Sequence, residues 1–329
     1  MKRLAAAALA FGACSAALAA PAAPPAYGQR PEVRAFIREL VERRAFVEKE
    51  LAFLFSRARR LPAVLKAIEP PSGRARSWEA YRATFVNERH VQAGLEFWRA
   101  HGATLERAAR AYGVPEAVIV AILGVETFYG RNTGRWRVVD ALATLAFDYP
   151  PRAEFFRQEL ESYLVYAREA GIDVFSVHGS YAGAIGIPQF MPGSYLKYAV
   201  DFDGDGVSDL RASAADAIGS VANFLKAHGW RPGEPVTLPA RVNGAAHRAM
   251  LEAGIEPRFT LADLRRFGVE TRSGLALETP VALVDLETPA RPTEYRLGMR
   301  NFYVLTRYNR SSFYASAVAD LAAALRAAR

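Results

Sequence analysis

The chain has 329 residues, 51% of them hydrophobic and 23% charged, which is enough apolar material for one large buried core or several smaller ones, so a soluble globular protein is expected. Its 42 basic and 34 acidic residues leave a net charge of +8, yet no nucleic-acid-binding motif accompanies the excess. A single cysteine, Cys14, rules out an internal disulfide, and the five histidines show no zinc spacing.

Lys2 and Arg3, an apolar run over residues 4–13 and small residues around Ala17 and Ala19 read as an export signal over residues 1–19. The run is too short and too rich in Ala for a comfortable membrane span. Cleavage near Ala19 leaves a mature chain without cysteine and with a net charge of +6, since Lys2 and Arg3 are the only charged residues lost. The competing reading keeps Cys14 as the lipid-bearing first residue, although Phe11-Gly12-Ala13 is a marginal match before it. The expected location is the periplasm, with an outer-membrane anchor if Cys14 is lipidated. In an exported protein, surplus Arg suits cell-wall polymer or anionic lipid more than nucleic acid; Arg as the ordinary surface cation is the alternative.

Residues 20–30 are rich in Ala and Pro and read as a tether. Val33, Phe36, Ile37 and Leu40, then Val47, Leu51, Leu54 and Phe55, recur at helical spacing, opening an N-terminal helical region over residues 31–100. Pro70-Pro71-Ser72-Gly73 interrupts it, and further helices are predicted over 77–112. Pro115 and Glu116 suit a helix start, residues 117–125 are apolar around the whole cylinder, and Gly130 suits a stop. Glu126 therefore falls in the last turn of a buried helix. Helices follow over 152–170 and 213–228, with a Gly-rich loop over 179–193 between them. Short strand-like runs at 236–238, 281–286 and 295–297 mark a small β-rich unit over 236–300. Residues 302–308 are ambiguous between strand and extended segment, and 314–328 form a closing helix.

A carboxyl among Ile122, Leu123, Val125, Phe128 and Tyr129 is costly to ionise, so its pKa should rise. A carboxylic acid kept neutral near pH 7 can protonate a glycosidic oxygen. The structural alternative is an ion pair with Arg131 or Arg135. Asp140 and Asp148 suit capping or surface solvation better than partnership with Glu126. Asp201, Asp203 and Asp205, with Gly206 at the turn and the Val207 carbonyl at position seven, have the spacing of an EF-hand loop, but Ala212 stands where a bidentate Glu is required.

Five blocks carry a family resemblance: GVETFYGRNTGRWRVVDALATLAFDYPPRAEFF, GSYAGAIGIPQFMPGSY, DFDGDG, DAIGSVANFLKAHGW and TRYNRSSFYA. Occurring in family order, they resemble the membrane-bound lytic murein transglycosylase B family from about residue 31 to the C-terminus. The resemblance implies a mainly α (α+β) fold: a lysozyme-like helical core over 101–235, a helical domain before it, a small β domain after it, and residues 301–329 returning to the core. It implies cleavage of the β-1,4 bond between N-acetylmuramic acid and N-acetylglucosamine with 1,6-anhydro ends, and Glu126 as the sole acid/base. Two carboxylates serve most glycosidases, but attack by the substrate's own hydroxyl removes the need for a second.

The resemblance also implies that Ser180, Gln189, Tyr308, Asn309, Tyr314 and Tyr81 line the sugar groove, with Phe155 where the best-known member has a tyrosine. Each has a structural alternative: a loop-stabilising hydroxyl for Ser180, a buried tying amide for Gln189, core packing for the aromatics. GSYAG is not the G-x-S-x-G of serine hydrolases. Asp216 matches the family residue that completes the calcium site, and could instead share a capping box with Ser213. No catalytic cofactor is implied, only a structural Ca2+. The implied partners are peptidoglycan glycan strands and proteins of cell-wall synthesis, with the chain a monomer. A water-using muramidase and a non-catalytic wall-binding protein remain as alternatives.

Overall fold

The structure, a computed structural model, describes residues 25–69 and 77–329. The expected export signal, Cys14, the start of the tether and the break at residues 70–73 lie outside the described residues. The chain divides into two compact units, Met1–Arg57 and Ala58–Arg329, so the division falls inside the stretch read as one helical region.

In the first unit, α1 (Pro31–Arg44) and α2 (Glu48–Arg57) pack through the periodic apolar residues, with Phe36 set edge-on to Phe55 at 6.1 Å between ring centroids. The end of the expected tether is ordered: Tyr27–Gln29 forms a 3-10 turn, Tyr27 is buried, and the Arg30 guanidinium lies 4.4 Å from the centre of its ring. An aromatic ring that can be buried and covered by a cation overrides the local Ala/Pro bias.

The second unit opens with α3 (Pro62–Ile68), α4 (Trp78–Phe85), α5 (Glu88–Ala100) and α6 (Gly102–Tyr112), and its centre is α7 (Glu116–Thr127). Every residue of α7 from Ala117 to Gly124 is buried, as expected for a helix apolar on all sides. Around it pack α5, α6, α11 (Ala214–Ala227) and α14 (Ser312–Ala328). α5 therefore belongs with the core, because its buried face is spent on α7 and α14. Between α7 and α11 run the two-residue strand β1 (Trp136–Arg137), α8 (Val138–Asp148), α9 (Ala153–Glu169), β2 (His178–Gly179), which pairs with β1, and α10 (Pro192–Tyr198).

Five antiparallel strands follow: β3 (Thr237–Val242), β4 (Phe259–Thr260), β5 (Val269–Glu270), β6 (Pro280–Leu286) and β7 (Glu294–Gly298), in the spatial order β4-β6-β7-β3-β5. Leu283 pairs with Leu297, and Leu297 with Leu238. One face of the sheet closes over Met250, Leu264, Val281 and Met299, with Met250 supplied by α12 (Arg248–Glu252). The segment 302–308 is neither strand nor extended: it is part of α13 (Arg300–Tyr308). Buried Asn301 decides this, because its side-chain amide donates to the carbonyls of Arg231 and Glu234 and its oxygen accepts from the Arg231 N–H, an anchor from distant residues. Among the described residues no single helix is long and apolar enough to cross a membrane.

Candidate active site

α7 ends one residue after Glu126, earlier than the Gly130 stop. Phe128 and Tyr129 themselves take left-handed backbone conformations, with φ of 51° and 60°. Their N–H groups satisfy the last carbonyls, Phe128 to Gly124 and Tyr129 to Leu123, both at 3.0 Å. The turn is held from outside. A side-chain carbon at Gly124 would lie 2.6 Å from the Tyr129 hydroxyl, so glycine there makes room for the ring. That hydroxyl donates to the His90 carbonyl on α5 at 2.8 Å. Thr127 donates to the Ile187 carbonyl at 2.7 Å and accepts from the Gly130 N–H at 2.9 Å, tying the helix end to the Gly-rich loop.

Glu126, thus placed, is half-buried and, among the described residues, its side chain accepts one hydrogen bond, from the Tyr314 hydroxyl at 2.7 Å. Burial pushes its pKa up to about 7, and the Tyr314 bond opposes the rise by favouring the carboxylate. Neither arginine considered for an ion pair reaches it: Arg131 pairs with Glu96, and Arg135 lies over the Trp136 ring. Asp140 and Asp148 are likewise engaged elsewhere. Asp140 accepts from the Arg59 N–H and the Arg137 guanidinium, and Asp148 pairs with Arg60.

Tyr314 is buried on α14 and stacks with Tyr308 at 6.3 Å and 14° between ring planes. Tyr308 in turn donates to the Pro188 carbonyl at 2.6 Å. Phe155, Gln189, Tyr308 and Asn309 come together on one hollow of about 640 Å³. Gln189, with φ of 52°, donates through its amide to the carbonyls of Thr133 and Gly186, at 3.0 and 2.8 Å, and so ties the loop down. Ser180 Oγ accepts from the N–H groups of Ala182 and Ala184, at 3.3 and 3.0 Å. Tyr81 lies 5.8 Å from Phe313, the residue preceding Tyr314.

Four further groups line the same hollow: Arg152, Arg307, Arg310 and Glu159. Glu159 accepts from the Gly193 N–H at 2.8 Å, and burial raises its pKa. One signal was available for it, the four-residue spacing from Phe155 that puts both on one face of α9. The arginines lie within or beside the recognised blocks but carry no distinguishing pattern.

In the acidic loop, carboxylate oxygens of Asp201, Asp203 and Asp216 lie within 4.8 Å of one another. Asp216 is buried and its two oxygens accept from the N–H groups of Phe202 and Asp209, at 2.7 and 2.8 Å. Ser213 caps α11 at the Asp216 N–H and also donates to Asp203 at 2.7 Å, so capping and carboxylate clustering coexist. Asp205 is turned to the Val207 N–H at 2.8 Å and stands outside the cluster of three. Hard carboxylate oxygens converging in this way fit a calcium ion.

Comparison with known proteins agrees with this architecture. The family model described as a transglycosylase SLT domain matches residues 28–323. The chain is 41% identical to the membrane-bound lytic murein transglycosylase B of Escherichia coli (strain K12) over 312 residues, covering 92% of this chain and 85% of that protein. The soluble lytic transglycosylase SltB1 of Pseudomonas aeruginosa superimposes with a TM-score of 0.85 at 45% identity, over 91% of this chain and 99% of that one. The Escherichia coli lytic transglycosylase Slt35 in complex with calcium does so with a TM-score of 0.81 at 40% identity, over 92% and 94%. The fold is thus the lysozyme-like, mainly α fold of these enzymes.

Proposed function

Since this chain belongs to the transglycosylase SLT domain family and is a lytic transglycosylase that cleaves peptidoglycan, we propose that Glu126 alone performs both proton transfers of the reaction. The observation that carries this reading is a carboxyl raised to about 7 whose one hydrogen-bond partner among the described residues is Tyr314. Neutral Glu126 gives its proton to the oxygen between N-acetylmuramic acid and N-acetylglucosamine as that bond breaks. The carboxylate so formed is stabilised by the Tyr314 hydroxyl. It then takes the proton of the muramoyl 6-hydroxyl while that oxygen bonds to C1, closing a 1,6-anhydro ring and restoring the acid. Internal attack makes a second carboxylate unnecessary, since effective molarities of roughly 10⁵ M are attainable for well-oriented groups.

Phe155, Tyr308 and Tyr81 offer apolar ring faces to sugars, and Asn309 and Ser180 offer polar groups. Tyr314 and Gln189 serve chiefly to hold the acid and the loop. Where a groove tyrosine would donate a hydrogen bond, Phe155 supplies only its face. Asp201, Asp203 and Asp216 would hold a calcium ion that joins the loop to α11 and takes no part in the chemistry, while Asp205, turned to the Val207 N–H, and the Val207 carbonyl would complete it only if the loop rearranged; the calcium complex of Slt35 supports the ion. The chain works at the cell envelope, as the membrane-bound relative indicates. Export to the periplasm follows from the signal at residues 1–19, and a retained, lipidated Cys14 would anchor it to the outer membrane.

Mass spectrometry of digested sacculi tests the chemistry. Products lighter by one water than reducing disaccharide-peptides are expected; reducing ends would assign a muramidase instead.

A further inference from the structure

The β-rich unit supplies none of the side chains assigned to the groove, yet its β6–β7 hairpin seats a helix that does supply one. α4 starts on this hairpin. Its Trp78 N–H donates to the Glu287 carbonyl at 2.7 Å and its Glu79 N–H to the Thr288 hydroxyl at 3.1 Å, two donors that a helix start cannot satisfy within itself. The Trp78 ring is buried, its indole N–H donates to Glu294 on β7 at 3.0 Å, and its ring centre lies 5.5 Å from that of Phe313. A hollow of about 710 Å³ between the hairpin and the turn joining α13 to α14 shares Arg310 with the hollow that Tyr308 lines, which sets the hairpin beside the groove.

Three charged side chains then clasp α4, β7 and α14 together. Arg296 of β7 donates twice to Asp320 of α14, from Nη1 to Oδ1 at 2.7 Å and from Nη2 to Oδ2 at 3.1 Å, so a planar fork meets a carboxylate edge to edge. Their side chains are only 11% and 15% exposed, and solvent ions screen such a pair little. Asp320 also accepts from Nε of Arg82 on α4 at 2.6 Å. The remaining face and edge of Arg296 are filled by the Trp78 ring, whose centre is 5.4 Å from the guanidinium carbon, and by Glu294 at 2.6 Å. Asp320 thus joins a helix, the sheet and the closing helix by charge.

The residue next to the clasp reaches the catalytic end. Tyr81, which precedes Arg82 on α4, has its ring centre 5.8 Å from that of Phe313, and its phenol acts electrostatically on the following residue, Tyr314, whose hydroxyl donates to Glu126. α14 carries both Tyr314 and Asp320 and is packed on α7 independently of α4. We propose that Arg82, Asp320 and Arg296 are positioning residues for glycan binding: their clasp fixes α4 so that the Tyr81 ring stands against a sugar, and the β-rich unit takes part in the reaction by holding that helix. The proposal rests on Tyr81 being a groove residue. Loosening the clasp leaves Glu126 and Tyr314 where they are, so it weakens substrate and transition state alike, raising KM and sparing kcat.

The test is steady-state kinetics of the full chain on a soluble glycan oligomer, comparing Asp320→Asn, Tyr81→Ala and the two combined, with hydrogen exchange followed over residues 78–85. Asp320→Asn is expected to raise KM about tenfold with kcat changed less than about twofold, and to speed exchange over 78–85 while α7 keeps its protection. Tyr81→Ala should raise KM by a similar factor and the double variant no further, because both changes remove one contact. Arg82→Gln, whose side chain is 45% exposed, cuts only the α4 end of the clasp without leaving a buried charge, and covers the case in which Asp320→Asn fails to fold. It should raise KM about threefold. A KM that rises in Tyr81→Ala but in neither clasp variant overturns the proposal and keeps Tyr81 in the groove, and factors that simply multiply in the double variant overturn it too. A KM untouched by Tyr81→Ala removes Tyr81 from the groove and the proposal with it.

Discussion

In the proposed mechanism Glu126 combines two requirements that usually conflict, since it must hold its proton against neutral solvent and yet be tolerable as a carboxylate. Burial supplies the first and Tyr314 the second. Replacing Glu126 with Gln should abolish anhydro-product formation, by at least a thousandfold in kcat, while the melting temperature holds or rises. In that mechanism the acid form starts the reaction, so kcat/KM should fall as pH rises through about 7. The same shift bears on stability. A carboxyl whose folded pKa lies above its unfolded value of about 4.5 stabilises the fold fully below that value and loses the contribution as pH rises through about 7. The loss, at most about 3 kcal/mol, should be missing from the pH dependence of thermal unfolding in Glu126→Gln. Because the Tyr314 bond lowers the pKa, Tyr314→Phe should move the basic limb of the rate profile to higher pH and reduce kcat about tenfold to a hundredfold. A limb that stayed in place would show that the bond does not act on the carboxyl.

At the scale of the element, the acid's position depends on how α7 stops. Three successive left-handed residues, Phe128, Tyr129 and Gly130, turn the chain so that Tyr129 folds back over Gly124 and Thr127 reaches the loop. Gly124→Ala places a carbon 2.6 Å from the Tyr129 hydroxyl. It should destabilise the protein by about 1–3 kcal/mol in urea unfolding and lower kcat more than it raises KM. Gly102→Ala, also in a helix but with nothing within 4 Å of the added carbon, is the control and should be neutral or slightly stabilising. The sequence announced α7 plainly, because nine apolar residues in a row have few other fates. It misplaced the stop, because Gly130 is the residue type that tolerates such a turn, whereas Phe128 and Tyr129 are forced into it by contacts with α5 and the loop.

At the scale of the whole molecule, the acidic loop is proposed to act as a calcium-held brace on α11. If it holds calcium, chelation should lower the melting temperature by several degrees, consistent with about 3 kcal/mol of ligand-linked stability at a hundredfold excess over Kd. Turnover well below the transition should change less than twofold, and Asp216→Asn should remove the response to calcium. Much of this plan was legible beforehand: the buried helix, its terminal carboxyl and the loop's aspartates follow from periodicity, burial cost and oxygen spacing, which are properties of short segments. Other features depend on residues far apart in the chain. Tyr314 meets Glu126 across 188 positions, Asn301 makes a helix of a segment that reads as strand or extended, and Arg310 is shared between two hollows. Sequence alone thus determined that one acid would stand in an apolar setting, since local composition sets the cost of its charge. Only the tertiary structure decided which hydroxyl answers that charge, because a pairing exists only once distant segments are packed side by side.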